Sequence, residues 1–306
     1  MSSPDLPPPQ PATQRLDAAV AAAAGVSRAH AQRLIAGGWV TVNGDLAVAR
    51  DKGRFVTAAE AVAVRAGFDT VKPQPDLPLA VVQRGPGWVV LDKPAGQHVH
   101  PLRPGETGTL LNAAAGRFAQ LAGPQPVGRE GGLRSGVVHR LDADTSGALV
   151  LALDTAWWDR LREGFAQHRV HKVYRALVAG HPPATGRADL PMAVTRHRRA
   201  RVQVVDPAHP DARTTGLSWR VIETAPRAAR VQITLETGFL HQIRVALAHL
   251  GHPVLGDRAY GGAVADAAPR QMLHAWKLGG EGLGAECAEC PEPEDMARAW
   301  RAMASG

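Results

Sequence analysis

The string Gly136-Val137-Val138-His139-Arg140-Leu141-Asp142-Ala143-Asp144-Thr145-Ser146-Gly147 gathers the residue types of acid–base and nucleophilic chemistry into one short stretch. Two apolar residues lead into His-Arg-Leu-Asp, and a turn of small residues precedes another apolar run. In an extended chain Arg140 and Asp142 project to one side and Leu141 to the other. A cation beside a carboxylate favours the charged carboxylate, which suits a nucleophile or a base. An isolated Arg-x-Asp is more often an ordinary ion pair at a strand end, so this string alone does not carry a site. Three further segments bear on it: Val89-Val90-Leu91-Asp92-Lys93-Pro94-Ala95-Gly96-Gln97-His98-Val99-His100-Pro101; Lys172-Val173-Tyr174-Arg175-Ala176-Leu177-Val178; and Thr237-Gly238-Phe239-Leu240-His241-Gln242-Ile243-Arg244-Val245, continuing to Gly256-Asp257 and Tyr260-Gly261.

Taken in this order, the four segments resemble the RluA-type RNA pseudouridine synthases, over nearly everything from Leu79 to Trp276. The resemblance implies an α+β catalytic domain with a mixed, largely antiparallel sheet that isomerises uridine in RNA to pseudouridine. Asp142 matches the catalytic aspartate, which acts while the base is detached, turned and rejoined through carbon; direct attack on the sugar and a glycal route both fit. Arg140 matches an arginine that enters the RNA stack as the uridine leaves it, a place a flat cation can fill. Tyr174 matches the tyrosine that stacks on the flipped base and can take its proton, and Arg244 the arginine that pairs with Asp142. The set is chemically coherent, with two arginines around one carboxylate and an aromatic face for a planar base. No cofactor, metal or second carboxylate is expected, because the base is its own leaving group and returning nucleophile; hydrolytic glycosidases, by contrast, need a carboxylate pair and a water. One departure stands out. Where the family usually has Gly-Arg-Thr before His-Gln-Ile-Arg, Phe239 and Leu240 follow Gly238, removing a cation and a hydroxyl beside the site and bearing on RNA contacts or substrate choice.

The elements that must position these residues fall into two expected domains. Residues 1–13 carry five prolines and read as a disordered leader. Leu16–Ala24 has helical propensity and Gly25 is placed to end it; Ser27 can cap a second helix, Arg28–Ala36, stopped by Gly37-Gly38. Trp39–Val42 reads as a strand, Asn43-Gly44 as a hairpin turn, and Ala61–Val64 as a closing strand. On the second helix Arg28 and Gln32 share a face, with Arg33 beside them. Arg15-Leu16-Asp17, Ser27 to Ile35 and Gly38 to Gly44 resemble, over residues 14–66, the small RNA-binding domain named after a small-subunit ribosomal protein (the S-four domain). That resemblance implies a small α/β-hairpin module contacting structured RNA through Arg28, Gln32, Arg33 and the hairpin. Residues 67–78 have linker composition. The catalytic domain is expected over 79–306, with strands near Val81-Val82, Trp88–Leu91, Val137-Val138, Ala148–Ala152, Tyr174–Val178 and Val231–Leu235, and helices near Trp157–Gln167 and Ile243–Leu250. Strands without regular β–α alternation predict α+β. Arg198 and Arg199, in the densest basic run, are candidates for phosphate contact.

Composition narrows the partners. The 306 residues include 35 Lys+Arg against 28 Asp+Glu, a formal charge of +7, which fits a polyanion such as RNA. No apolar run approaches the roughly 18–20 residues of a membrane-spanning helix, so no membrane role is expected. The N-terminus lacks a secretory pattern, and two cysteines are too few for a disulfide scaffold, so a cytoplasmic protein is expected. Cys287 and Cys290 have knuckle spacing without a partner pair and read as ordinary thiols. Asp142-Ala143-Asp144-Thr145 also fits the nucleophile motif of haloacid-dehalogenase-type phosphatases, but the position four after Asp257 is Gly261 rather than an acid. The same strings are compatible with a non-catalytic RNA-binding or ribosome-assembly protein that keeps the synthase fold, and with the same isomerase acting on transfer RNA. A detachable basic module suits a large folded RNA, which favours large-subunit ribosomal RNA. Oligomeric state leaves no mark in the sequence.

Overall fold

A computed structural model describes residues 13–305 apart from 124, 130, 196–200, 265, 281–282 and 284–286. The chain divides into two compact units, one comprising the chain up to Thr70 together with Pro101–Glu106, the other Val71–His100 and Thr107 onward. The expected leader falls, except for Thr13, outside the described residues, as do Arg198 and Arg199.

The first unit contains β1 (Thr13–Arg15), α1 (Leu16–Ala24), α2 (Arg28–Ala36), β2 (Val40–Val42), β3 (Asp45–Leu46), β4 (Phe55–Thr57) and β5 (Val62–Val64). β1 pairs with β4, and β2 lies between β3 and β5, all antiparallel. Asn43 and Gly44 both have positive φ, 53° and 89°, as a tight two-residue hairpin turn requires. The helix boundaries match those expected, with the Ser27 hydroxyl accepting the His30 N–H. Leu16, Val20, Leu34, Ile35, Val40 and Val56 form the core.

A buried carboxylate alters the reading of the α2 face. The Asp17 side chain is fully buried and accepts hydrogen bonds from Arg15 (3.2 Å), Arg28 Nη2 (3.1 Å) and Gln32 Nε2 (2.7 Å). A buried charge must be paired, so Arg28 and Gln32, expected to face RNA, are engaged in joining α2 to α1. The Arg28 side chain keeps 55% of its surface exposed, and Arg33 is exposed.

The second unit is built on one sheet of ten strands. They are β6 (Ala80–Arg84), β7 (Trp88–Lys93), β8 (Ser146–Ala152), β9 (Val170–Ala179), β10 (Thr185–Thr195), β11 (Arg201–Val204), β12 (Arg213–Ala225), β13 (Ala228–Leu235), β14 (Leu273–Gly280) and β15 (Ala288–Glu289). Nine run in the order β11-β10-β12-β13-β9-β14-β8-β7-β6, and β15 pairs with β14. Every described pairing is antiparallel except β14 with β8, so the sheet is mixed and largely antiparallel. α3 (Leu110–Arg117), α4 (Thr155–Ala166), α5 (Gln242–His249) and α6 (Glu294–Ala304) complete an α+β fold.

Three expectations need correction. Val137-Val138 is not a strand: Val137 makes a single bridge to Leu151, after which the chain turns away. Only the first part of 67–78 lies outside the second unit. From Val71 on the segment runs along α3, where Asn112 Nδ2 donates to the Lys72 carbonyl (2.8 Å) and the Gln74 N–H to the Asn112 carbonyl (2.9 Å). Prolines stiffen that stretch, and backbone groups bonded to a helix residue fix it in place. The third correction is that α3 and α6 are both absent from the expected helices; α6 lays Met296 and Trp300 against a small apolar cluster with Leu177, Leu255 and Met272.

Gly147 marks the parallel seam. Its φ is +108°, and a Cβ there would run into the carbonyl oxygen of Ala275 on β14. Gly147→Ala is therefore expected to cost about 2–3 kcal/mol through strain and overlap. Urea unfolding checks this, and an unchanged midpoint would contradict the described packing of β8 on β14.

Candidate active site

Asp142 occupies a turn immediately before β8, and the turn is clamped through its backbone. The Thr145 N–H donates to the Asp142 carbonyl (3.1 Å). Lys93, at the end of β7 and fully buried, directs its ammonium at the carbonyls of Ala143 (2.7 Å), Pro94 (2.8 Å) and Gln97 (2.9 Å). Burial pushes Lys93 down to about 7, with the charge of Asp144 and then that of Asp142 opposing the shift. From the other side Arg270 donates to the Asp144 carbonyl (3.1 Å) and pairs with Asp295 of α6 (2.7 Å), while Gln271 Nε2 donates to Thr145 Oγ1 (2.8 Å). Neither Lys93 nor Arg270 was expected to have a role at the site.

His139 anchors the approach to this turn. Its Nε2 accepts the Val150 N–H (3.0 Å) and its ring stacks on Phe165 at 4.5 Å, so the neutral ring with its proton on Nδ1 is the form that fits. Burial holds the imidazole down at about 3, with Lys172 acting in the same direction.

Arg244, in the first turn of α5, reaches Asp142 as expected: Nη1 to Oδ2 is 2.9 Å. Behind it lies a residue whose role sequence reasoning missed. Asp257 is fully buried and takes Arg244 in a bidentate grip, Nε to Oδ2 and Nη2 to Oδ1, both 2.7 Å. Burial disfavours the charged Asp257, but Arg244 and the N–H groups of Ala259 and Tyr260 outweigh it and leave the pKa below the ordinary range. The Asp142 side chain is 19% exposed against 0% for Asp257, so of these two carboxylates only Asp142 faces solvent.

Tyr174 lies on β9 between Ile233 of β13 and Ala275 of β14, on the strand face that also turns Lys172 inward. Burial, reinforced by the charge of Asp142, raises its phenol above the ordinary value. The ring therefore remains protonated at neutral pH and offers a stacking surface rather than a resting base. Lys172 donates to the Thr237 carbonyl (2.9 Å), and burial pushes its ammonium down to about 8.

These side chains border a cleft of about 590 Å³, which includes Arg140, Asp142, Lys172, Tyr174, Phe239 and His241 in its lining. It adjoins a recess of about 70 Å³ where Arg244 and Thr145 join them. Arg140 is exposed while Leu141 is buried, the alternation expected around Asp142. Phe239 and Leu240 form part of the cleft wall and pack on the core, so the departure at these positions makes that wall apolar. The arrangement offers one carboxylate in the cleft lining, an aromatic face and a cationic rim. Asp257 lies behind Arg244 rather than across the cleft, so the two carboxylates do not flank a scissile bond as hydrolytic glycosidases require.

Residues 87–249 match the family described as RNA pseudouridylate synthase. A Chloroflexus aurantiacus protein named as an uncharacterized RNA pseudouridine synthase is 38% identical over 283 residues, covering 89% of this chain and 83% of its own. The ribosomal large subunit pseudouridine synthase D of Zymomonas mobilis is 34% identical, with 87% and 85% covered, and that of Escherichia coli O157:H7 is 35% identical, with 81% and 73% covered. The solved structure of human RNA pseudouridylate synthase domain containing 1 aligns over 72% of this chain and 86% of its own, with a TM-score of 0.57 at 26% identity.

Two outcomes follow from the charges. His139 is held neutral well below the ordinary histidine value, so its contribution to stability is complete above about pH 6.5 and is lost as pH falls toward about 3. Stability measured from pH 7 to 4 should decline less steeply in His139→Gln than in the wild type; parallel curves would contradict the assignment. Asp257→Asn leaves the buried Arg244 half paired and should cost about 3 kcal/mol in urea unfolding. It should also lower kcat about 10–100-fold through the disturbed arginine, and wild-type values for both would remove Asp257 from the site.

Proposed function

The chain belongs to the RNA pseudouridylate synthase family, which isomerises uridine in RNA to pseudouridine, and from that premise we propose that it modifies large-subunit ribosomal RNA with Asp142 acting on the target nucleotide. The observation that carries the assignment is the charge arrangement. Arg244 is neutralised by Asp257 from behind, so the Asp142–Arg244–Asp257 group keeps one net negative charge, and Asp142 is its cleft-facing end. The N1–C1′ bond of uridine is exchanged for C5–C1′ while the proton on C5 is given up and N1 gains one. The product contains the same atoms and electrons as the substrate, so the chemistry calls for positioning and charge rather than a redox partner or a hydrolytic water.

Within this reading each neighbour has a part. A uridine in structured RNA must leave its stack to reach the cleft. Arg140, exposed beside Asp142, fills the gap with a planar cation; Tyr174 stacks on the extruded base; and Arg244 fixes the orientation of Asp142. The first unit, in the manner of an S-four domain, grips RNA away from the target, with Arg33 and the exposed part of Arg28 available to phosphates. Support for a ribosomal substrate comes from the relatives named as large subunit synthases, and such a substrate puts the reaction in the cytoplasm.

The decisive experiment offers wild type and Asp142→Asn to large-subunit ribosomal RNA and transfer RNA, with pseudouridine mapped by mass spectrometry. Asn preserves shape and removes charge. RNA affinity should persist while modification falls about 10³-fold or more. Substantial activity in the Asn variant would overturn the assignment of Asp142, and modification confined to transfer RNA would overturn the choice of substrate.

A further inference from the structure

The two carboxylate oxygens of Asp142 meet different neighbours. Oδ2 receives Arg244, whereas Oδ1 faces His241 Nε2 at 3.8 Å. His241 immediately precedes α5 with φ +53°, a left-handed conformation that is unusual for a side chain of this size. Its other nitrogen, Nδ1, lies 2.8 Å from the hydroxyl of Tyr260. That hydroxyl also receives the backbone N–H of Val202, on β11, at 3.0 Å. An amide N–H can only donate, so the phenol oxygen is the acceptor there and its own proton is free for His241.

We propose that His241 and Tyr260 form a positioning pair for Asp142: Tyr260 donates to His241 Nδ1, fixes the ring as the Nε2–H tautomer, and so aims a second N–H at Oδ1. This inference rests on the assignment of Asp142 made above. Burial lowers the His241 imidazole below its ordinary range, and Asp142 offsets only part of that, so the neutral ring is the form that matters. At 3.8 Å the contact is longer than a hydrogen bond. A shift of about 1 Å closes it, as is common when a site tightens around its substrate. The carboxylate plane is then held from both ends, by Arg244 at Oδ2 and by His241 at Oδ1.

The same short turn governs both donors. Asp257 grips Arg244, and its Oδ1 also accepts the N–H groups of Ala259 (2.9 Å) and Tyr260 (3.1 Å). Tyr260 leaves that turn with its ring beneath the Arg244 guanidinium, at 5.1 Å, and its hydroxyl on His241. The Val202 bond extends the chain of contacts to β11, where Arg201 lies over the Tyr260 ring at 5.7 Å and donates to the Ala259 carbonyl. β11 is thereby tied, through the Tyr260 phenol and the Ala259 carbonyl, to the turn that orients the carboxylate.

The test uses the full chain and three variants. His241→Asn tolerates the left-handed backbone but is too short to place an N–H at Oδ1. His241→Gln puts an amide N–H near the position of Nε2. Tyr260→Phe keeps the ring and removes the hydroxyl. Under single-turnover conditions His241→Asn should lower the modification rate about 10–100-fold with little change in RNA affinity, and His241→Gln should recover most of the loss. Nitrogen-15 NMR of the histidine rings should report the Nε2–H tautomer for His241 in the wild type and a loss of that preference in Tyr260→Phe. An Nδ1–H ring in the wild type, or equal rates for the Asn and Gln variants, would overturn the pair. The tautomer is read without catalysis, so it stands apart from the Asp142→Asn assay, whose failure would instead sink the underlying assignment.

Discussion

A guanidinium withdrawn from water must be matched by negative charge, and the site is arranged around that requirement at Arg244. Only 9% of its side chain is exposed. One partner, Asp257, would suffice for neutrality and is itself buried and bidentate. The third nitrogen remains available to Asp142, which is why that carboxylate is fixed in direction without its charge being cancelled. Removing a member of a buried pair costs several kcal/mol because the other is left uncompensated. Orientation and stability therefore rest on the same atoms.

The turn carrying Asp142 is fixed by a different principle, the demand of backbone carbonyls for donors. Lys93 supplies three N–H groups to three carbonyls, and Arg270 meets those of Asp144, Gln271 and Leu273. Cations that grip main-chain oxygens hold a loop without occupying its side chains, so Asp142 remains free to face the cleft. Asp295 on α6 carries the charge of Arg270, which extends the support of the site well beyond the segment that matches the family.

What was legible in the sequence follows from the same distinction. Asp142, Tyr174 and Arg244 were legible only through the order of four strings that resemble a known family, and that resemblance implied the pairing of Arg244 with Asp142. Asp257 was visible as part of Gly-Asp but not as the second partner of Arg244, because the connection crosses a helix and a loop. Lys93 and Arg270 act on carbonyls, which every residue possesses, so nothing in the sequence marks their targets. Periodicity placed Arg28 and Gln32 on one face of α2 correctly, but it could not reveal that the carboxylate of Asp17 lies against that face. The helices α1 and α2 were readable from caps and composition. β10 and β12 were not, since β10 carries a proline and both expose many residues, leaving no clean alternation.

The position of β14 has a consequence for the order in which the protein is made. It lies between β8 and β9, so among the described residues the β6–β8 and β9–β13 portions of the sheet are joined only through it. Asp142 belongs to the first portion, while Tyr174 lies in the second and Arg244 just after it. As the chain emerges from the ribosome all three residues are synthesised before Leu273, yet the strand that sets their register has still to arrive. Both portions already contain non-local pairings, such as Trp88 with Ala152 and Lys172 with Leu235, and the insertion of β14 adds contacts more distant still, such as Gly147 with Ala275. A chain ending before β14 would thus contain Asp142, Tyr174 and Arg244 without the strand that joins the two portions of the sheet.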